Sequence, residues 1–377
     1  MSEKVIAEKI MIETNAKRSK TPATFYLLPT LFIPLVIISW VWGGISIVLI
    51  PLYGYVFVSI LDFIFKSTRK DKVIAKDQKR YSIILWIWPS IQFCLIFGTL
   101  LMICRTSQFN LYESLLMMIS IGIVTGAIGI TFAHELMHKK NKIERILCDL
   151  LLGMALYGHF RTEHLLVHHR FVGTKNDSVT ARYDENFYRF FLRVLPGCFF
   201  SAWNIERNRL LKRGKTVISF KNPFWTYFGL ILLFLLISFL IGGLFAISLF
   251  VLQALVAVIH LEVVNYIEHY GLSRKLLNNG KYETTKPHHS WNANHTVSNL
   301  LLINLQKHSD HHYHPNKSYY LLDDFESEAA PQLPFGYPIM VLLSLFPNTW
   351  RKIMNPKVKE WRKRFYPEIS DWSRALD

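Results

Sequence analysis

Apolar residues run along this chain in six long blocks, and the blocks come in pairs. Residues 25–41 and 43–65 meet at Gly43-Gly44. Residues 82–103 and 111–132 are joined by the short link 105–110, and residues 224–241 and 244–264 meet at Gly242-Gly243. A helix needs about 20 predominantly apolar residues to cross a bilayer. The last four blocks contain no Lys, Arg or Asp; Glu262 closes the last one, Asp62 lies near the end of the second, and the first is interrupted by Pro29 and Pro34. One such block fits a buried core helix, but six in three tight hairpins predict an all-α integral membrane protein with six transmembrane helices.

Polar positions set the organisation around the spans. Residues 1–24 precede the first span with no small-residue cleavage site after it, so the N-terminus does not read as a signal peptide. Lys4, Lys9, Lys17, Arg18 and Lys20 precede the first span, and Lys66, Arg69, Lys70, Lys72, Lys76, Lys79 and Arg80 follow the second, whereas the hairpin links carry little beyond Arg105. Positive charge stays on the cytoplasmic side, which places both termini and the long loops there. The expected organisation is a cytoplasmic arm (1–24), a membrane bundle (25–264) interrupted by a cytoplasmic segment (133–223), and a C-terminal cytoplasmic segment (265–377). The two polar segments should form one helical cap. Residues 5–20 read equally as a basic amphipathic helix on anionic lipid or as a disordered arm.

Charge and cysteine content remove other classes. There are 43 Lys and Arg against 27 Asp and Glu, a formal charge of +16, with 51% hydrophobic and 19% charged residues in 377. Such a chain is too apolar for a disordered protein. No zinc-finger or other recognition pattern accompanies the basic charge, so it reads as membrane-surface charge rather than a nucleic-acid footprint. Cys94, Cys104, Cys148 and Cys198 form no C-x-x-C pair, which excludes a cysteine-ligated iron site, a zinc knuckle and a dithiol motif in this chain.

Histidine carries the candidate chemistry. His134 and His138 frame H-E-L-M-H, His164, His168 and His169 frame H-L-L-V-H-H, and His308, His311 and His312 frame H-S-D-H-H. Helical residues three or four apart share a face, so each motif can aim two or three imidazoles at one point. A zinc protease would use one H-E-x-x-H with Glu135 as base and leave the other six unexplained. Eight imidazoles exceed one tetrahedral site and point to two metals. If the fourth and sixth spans continue as helices, their cytoplasmic ends deliver His134 and His269 to one place, and His269 becomes a ninth ligand.

The segments His134-Glu-Leu-Met-His138-Lys139, Glu163-His164-Leu-Leu-Val-His168-His169, Asn265-Tyr-Ile-Glu-His269-Tyr-Gly-Leu272 and Leu305-Gln-Lys-His308-Ser-Asp-His311-His312 resemble the signature of the integral-membrane alkane monooxygenases. These belong to a histidine-rich diiron group with the membrane fatty-acid desaturases and xylene monooxygenases. The Pro287-His-His-Ser-Trp-Asn292 segment resembles the family as well, and the likeness runs from the first span to about Trp372. It implies a bacterial inner-membrane protein whose His134, His138, His164, His168, His169, His269, His308, His311 and His312 hold two iron ions. It also implies hydroxylation of the terminal methyl of a medium- or long-chain n-alkane with O2, with electrons from a rubredoxin reduced by an NADH- or NADPH-dependent flavoprotein. The chain departs from the pattern at Val167, where Gly is usual, and at Lys307, where Arg is usual.

Further expectations attach to the surroundings. Glu135, Glu163, Glu268 and Asp310 adjoin ligands and are candidates to orient them. Tyr53, Tyr55 and Phe57 on the second span are candidates to limit the depth of an apolar substrate channel. Arg161, Lys307 and Lys317 are candidates to dock an acidic rubredoxin. His288, His289, His295 and His314 are assigned to polar networks or donor docking, and His260 to membrane packing or function. Two rival readings stay open: a desaturase or xylene-type hydroxylase of the same group, and an intramembrane zinc protease. A metal transporter ranks behind both, because the spans are nearly bare of the ionisable residues an ion pathway needs.

Overall fold

Long apolar helices dominate the computed structural model, which describes residues 18–19, 21–65, 73–74 and 78–372. The basic residues Lys4, Lys9, Lys17, Lys20, Lys66, Arg69, Lys70, Lys72 and Lys76, and all but residues 18–19 of the surface helix expected over 5–20, lie outside the described residues. Arg18–Ser19 instead pairs antiparallel with Val73–Ile74.

Among the described residues, five helices are long and apolar enough to cross a membrane: α1 (Ala23–Trp42), α2 (Gly44–Ile64), α3 (Gln78–Arg105), α4 (Leu111–Met137) and a last one, Phe224–His269. Large apolar side chains such as Ile45, Phe63 and Leu244 point outward on them, an exposure that suits a lipid surround. The chain is a multi-pass membrane protein.

The last helix has 46 residues, about 69 Å at 1.5 Å per residue, more than twice the roughly 30 Å hydrocarbon core. It is not straight. Gly242 (φ −158°, ψ 29°) and Gly243 (φ 61°, ψ −146°) leave helical geometry, and the left-handed φ of Gly243 costs little only without a Cβ. Phe234 and Phe250 both stack on Phe97, with centroids 5.8 and 5.5 Å away. A straight helix would separate them by about 24 Å, so the chain folds back on itself at the glycine pair.

Between α4 and the last helix come α5 (Lys142–Met154), α6 (residues 160–171) and α7 (Phe187–Leu211), and the last helix is α8. Then follow α9 (Thr296–Leu301), α10 (His308–Tyr313), α11 (Tyr337–Ser344) and α12 (Pro347–Phe365). Asp62, at the end of α2, accepts hydrogen bonds from the backbone N–H of Val297 and Ser298 at 2.7 and 3.0 Å. It thereby caps α9 and ties the C-terminal segment to the bundle.

The close partner of α8 is α4. A Cβ on Gly122 would stand 2.6 Å from the Gln253 carbonyl, and one on Gly126 would stand 2.7 Å from the His260 Cβ. Missing side chains let the backbones approach as membrane helices commonly do. That approach sets the C-terminal ends of α4 and α8, bearing His134 and His269, side by side.

Candidate metal centre

The eight histidines singled out by spacing converge with His269, but not motif by motif. His134, His138, His164, His169 and His311 form one group, and His168, His269, His308 and His312 form a second. Within each group the candidate donor atoms lie within 4.8 Å of one another. The second and fourth motifs are therefore split between two points, where ordinary helical spacing aims each at one. The cause in the second motif is a π-helical turn over His164–His168. Its i→i+5 pattern brings His164 and His169 together, Nε2 to Nε2 3.0 Å, and turns His168 to the other group. On α10, His308 and His312 are four apart and meet at 3.0 Å, while His311 faces His134 at 2.9 Å.

The Nε2 atoms turn inward. In the second group His168 and His312 approach to 3.2 Å, and His308 and His269 to 3.2 Å; in the first, His164 and His138 approach to 3.2 Å. An imidazole nitrogen bound to a cation lies about 2.0–2.1 Å from it, which puts neighbouring donors at right angles about 3 Å apart. Burial and the neighbouring imidazoles hold His164, His169, His308, His311 and His312 well below the ordinary histidine range. Burial, with Lys139 and His168 beside it, pushes His138 down to about 3. Neutral imidazoles with inward lone pairs repel unless a cation lies among them, and imidazole is a good ligand for iron, zinc, copper and nickel. The residues fit a pair of such ions.

Only part of the expected outer support is present. Glu268 is buried at the inner rim, with Oε2 3.3 Å from His308 Nε2 and Oε1 accepting the Tyr337 hydroxyl at 2.8 Å. Glu135 pairs instead with Lys139 at 2.5 Å, and Asp310 with Lys317 at 2.6 Å and His314 at 2.7 Å. Glu163 is buried with both carboxyl oxygens lacking a hydrogen-bond partner. Burial, with Asp177 and Glu262 near, pushes it well above the carboxylate range. The acceptor that sequence reasoning missed is Asp177. Its Oδ2 takes the outer Nδ1 of His168 at 3.0 Å and a hydrogen bond from the Thr180 hydroxyl at 2.7 Å. Burial opposes its charge, yet His168 and Thr180 hold it below the usual range. Its one sequence signal is the Asn176-Asp177 turn eight residues beyond His169.

A cavity that is partly open to the outside rises from this centre between the helices. Its floor is His134, His164, His308 and Glu268, and its walls are mainly apolar, from Phe32, Ile123, Ile130, Leu261, Val264 and Val341. Of the three aromatic candidates only Tyr55 lines it. Tyr53 packs on Phe32 and donates to the Leu28 carbonyl at 3.1 Å, and Phe57 is 55% exposed.

The expected docking cations are engaged elsewhere. Arg161 pairs with Asp149 at 2.9 Å, Lys307 lies 3.5 Å from Asp324, and Lys317 bridges Asp310 and Asp323. Exposed cations near the centre include Lys140, two residues after His138, and Arg170, next to His169. Glu283, His288 and His289 also cluster. There, however, His289 Nδ1 accepts the Lys286 N–H at 2.9 Å, so the proton of a neutral ring sits on Nε2, 2.7 Å from the Tyr366 hydroxyl. These contacts form a hydrogen-bond network pinning the chain after α12. His314 binds Asp310 and His295 precedes α9; neither joins a group.

Residues 112–343 match the fatty acid desaturase family. The chain is 39% identical to alkane 1-monooxygenase 1 of Alcanivorax borkumensis over 326 residues, 85% of this chain and 78% of that one. It is 42% identical to alkane 1-monooxygenase 2 of Pseudomonas aeruginosa over 241 residues, 64% of this chain; the match spans 63% of that relative, just under two thirds of its length. It is 27% identical over 335 residues, 85% of this chain and 83% of the relative, to the XylM hydroxylase component of the xylene/toluene monooxygenase of Pseudomonas putida.

Proposed function

This chain belongs to the fatty acid desaturase family and, within it, to the alkane 1-monooxygenases, and from that membership we propose that it hydroxylates the terminal methyl of medium- or long-chain n-alkanes with O2. The observation that carries the proposal is the junction of two imidazole groups with one apolar cavity. A methyl group entering the cavity ends beside His134 and His308, and apolar walls offer an alkyl chain a water-free environment. The reading includes six spans, the last two from the halves of α8, with the histidines and both termini on the cytoplasmic side of a bacterial inner membrane. Residues 133–223 and 265–377 make the cytoplasmic cap.

The nine histidines would hold two iron ions, one per group, and the bound iron would supply the O2 reduction and C–H cleavage that no side chain can perform. The chain does the positioning. Asp177 fixes His168 with its proton on Nδ1 and its Nε2 lone pair inward. Tyr337 holds the Glu268 carboxyl at the cavity floor, next to where the methyl lies. Leu261, Val264 and Val341 exclude water from the alkyl chain. Tyr55 limits its length.

Electrons would come from a rubredoxin, an acidic one-electron donor, docking where Lys140 and Arg170 flank His138 and His169. The chain's own cysteines offer no iron site, so the donor is a separate protein or domain. The test is anaerobic purification, ferrous loading, and assay with n-octane to n-hexadecane, O2, rubredoxin and its reductase. The expected product is the 1-alkanol. Acyl desaturation or aryl-methyl oxidation without alkane oxidation would favour the sister readings. Activity at one zinc per chain would favour a protease.

A further inference from the structure

Resting on the proposed alkane hydroxylation, we infer that His260 sets the substrate chain length by holding Tyr55 across the cavity. Tyr55 on α2 and His260 on α8 both line the cavity, and the Tyr55 hydroxyl and His260 Nδ1 are hydrogen-bonded at 3.1 Å. They are the polar pair on the upper part of an apolar wall, joining helices 205 residues apart in sequence. A phenol ring alone could swing on its χ1 and χ2 torsions; bonded to His260 it bars the cavity at one height.

Three local features serve this contact. A π-helical turn over Leu52–Phe57 carries Tyr55, and such turns re-aim side chains, often at functional sites. Gly126 of α4 leaves no room for a Cβ beside His260, whose Cβ would be 2.7 Å away. The α8 backbone therefore sits close against α4, and the His260 imidazole reaches Tyr55 on α2. Gly54, the neighbour of Tyr55, lies against the Phe32 ring, 3.5 Å from where its Cβ would be. The bar is thus backed on both sides.

The height follows from helix geometry. His260 precedes Glu268, which lies at the cavity floor, by eight residues, about 12 Å along α8. An extended carbon chain advances about 1.2 Å per bond, so roughly ten carbons fit between the imidazole floor and the bar. His260 touches neither metal donors nor the reacting methyl. It is a positioning residue that acts through Tyr55.

The experiment compares wild type with His260→Leu, Tyr55→Phe, the double variant, and His260→Asn, which keeps a hydrogen-bonding atom near the Nδ1 position. Two readouts are taken on iron-loaded protein: 1-alkanol yields from C8 to C16, and the chain length at which alkane gives its largest thermal stabilisation without turnover. His260→Leu and Tyr55→Phe should each raise the hexadecane-to-decane product ratio by about tenfold or more and move the stabilisation maximum to longer chains. The double variant should go no further than either single one, and His260→Asn should keep the wild-type profile. Unchanged profiles in both single variants, or additive shifts in the double one, overturn the inference. Absence of alkanol from wild type defeats the hydroxylase reading instead, and the stabilisation series still decides the role of His260.

Discussion

Asp177 accepts the outer nitrogen of His168 at 3.0 Å while the inner nitrogen of the same ring faces His312 at 3.2 Å. One carboxylate thus decides which nitrogen of His168 carries the proton. Outer partners of ligating imidazoles are typically worth 10–100-fold in metal affinity. Asp177→Ala should weaken iron binding by about that factor. Asp177→Asn, whose amide oxygen still accepts the Nδ1 proton, should lose less. Iron titration of the metal-free protein separates the two, and equal affinities for wild type and Asp177→Ala would remove the role.

Chain length tests the cavity. Tyr55→Ala should extend the accepted alkane well beyond ten carbons, while Tyr53→Ala and Phe57→Ala should leave the product profile unchanged, because neither lines the cavity. Product analysis across C8 to C16 distinguishes them.

The buried imidazoles make metal-free protein acid-labile. His138, at about 3, and the deeper rings lie below their ordinary value of 6.5. The unfolded chain therefore takes up protons first as pH falls. Stability is complete above about pH 6.5 and is lost progressively below it, toward the folded-state values. Thermal unfolding of the metal-free protein should show a falling midpoint from pH 7 to 5, and bound metal should delay the fall. A midpoint that rises on acidification would contradict the burial of neutral rings.

Donor docking can be told apart from internal pairing. Lys140→Glu and Arg170→Glu should raise the KM for rubredoxin several-fold and weaken the slowing of turnover by salt. Arg161→Ala should instead destabilise the fold by about 1–3 kcal/mol. It strands Asp149, whose carboxyl burial already raises to about 6. Steady-state kinetics against donor concentration and thermal unfolding read these outcomes independently.

Local patterns in the sequence proved legible, and tertiary ones did not. The apolar blocks became the long helices, with Gly242-Gly243 at the reversal, because hydropathy and glycine torsions act within a few residues. That eight histidines would come together was legible because ligand spacing is a property of one helical turn, and His269 followed from the continuation of the last span. Their division into five and four was not, since it depends on a π-helical turn over His164–His168 that no residue type announces. Asp177 escaped because a loop, not helical periodicity, returns it to His168. Tyr55 could not be separated from Tyr53 and Phe57 without the rotation of α2. Arg161, Lys307 and Lys317 read as free cations because Asp149, Asp324, Asp310 and Asp323 reach them only through folding.

The central claim is that two imidazole groups hold two iron ions at the cavity floor. Iron and zinc quantification on anaerobically purified, ferrous-loaded protein tests it most directly, with His269→Ala and His138→Ala alongside. The account predicts two irons per polypeptide in the wild type, and loss from one group in each variant. A single metal ion per polypeptide, or a wild-type metal content in both variants, would contradict it.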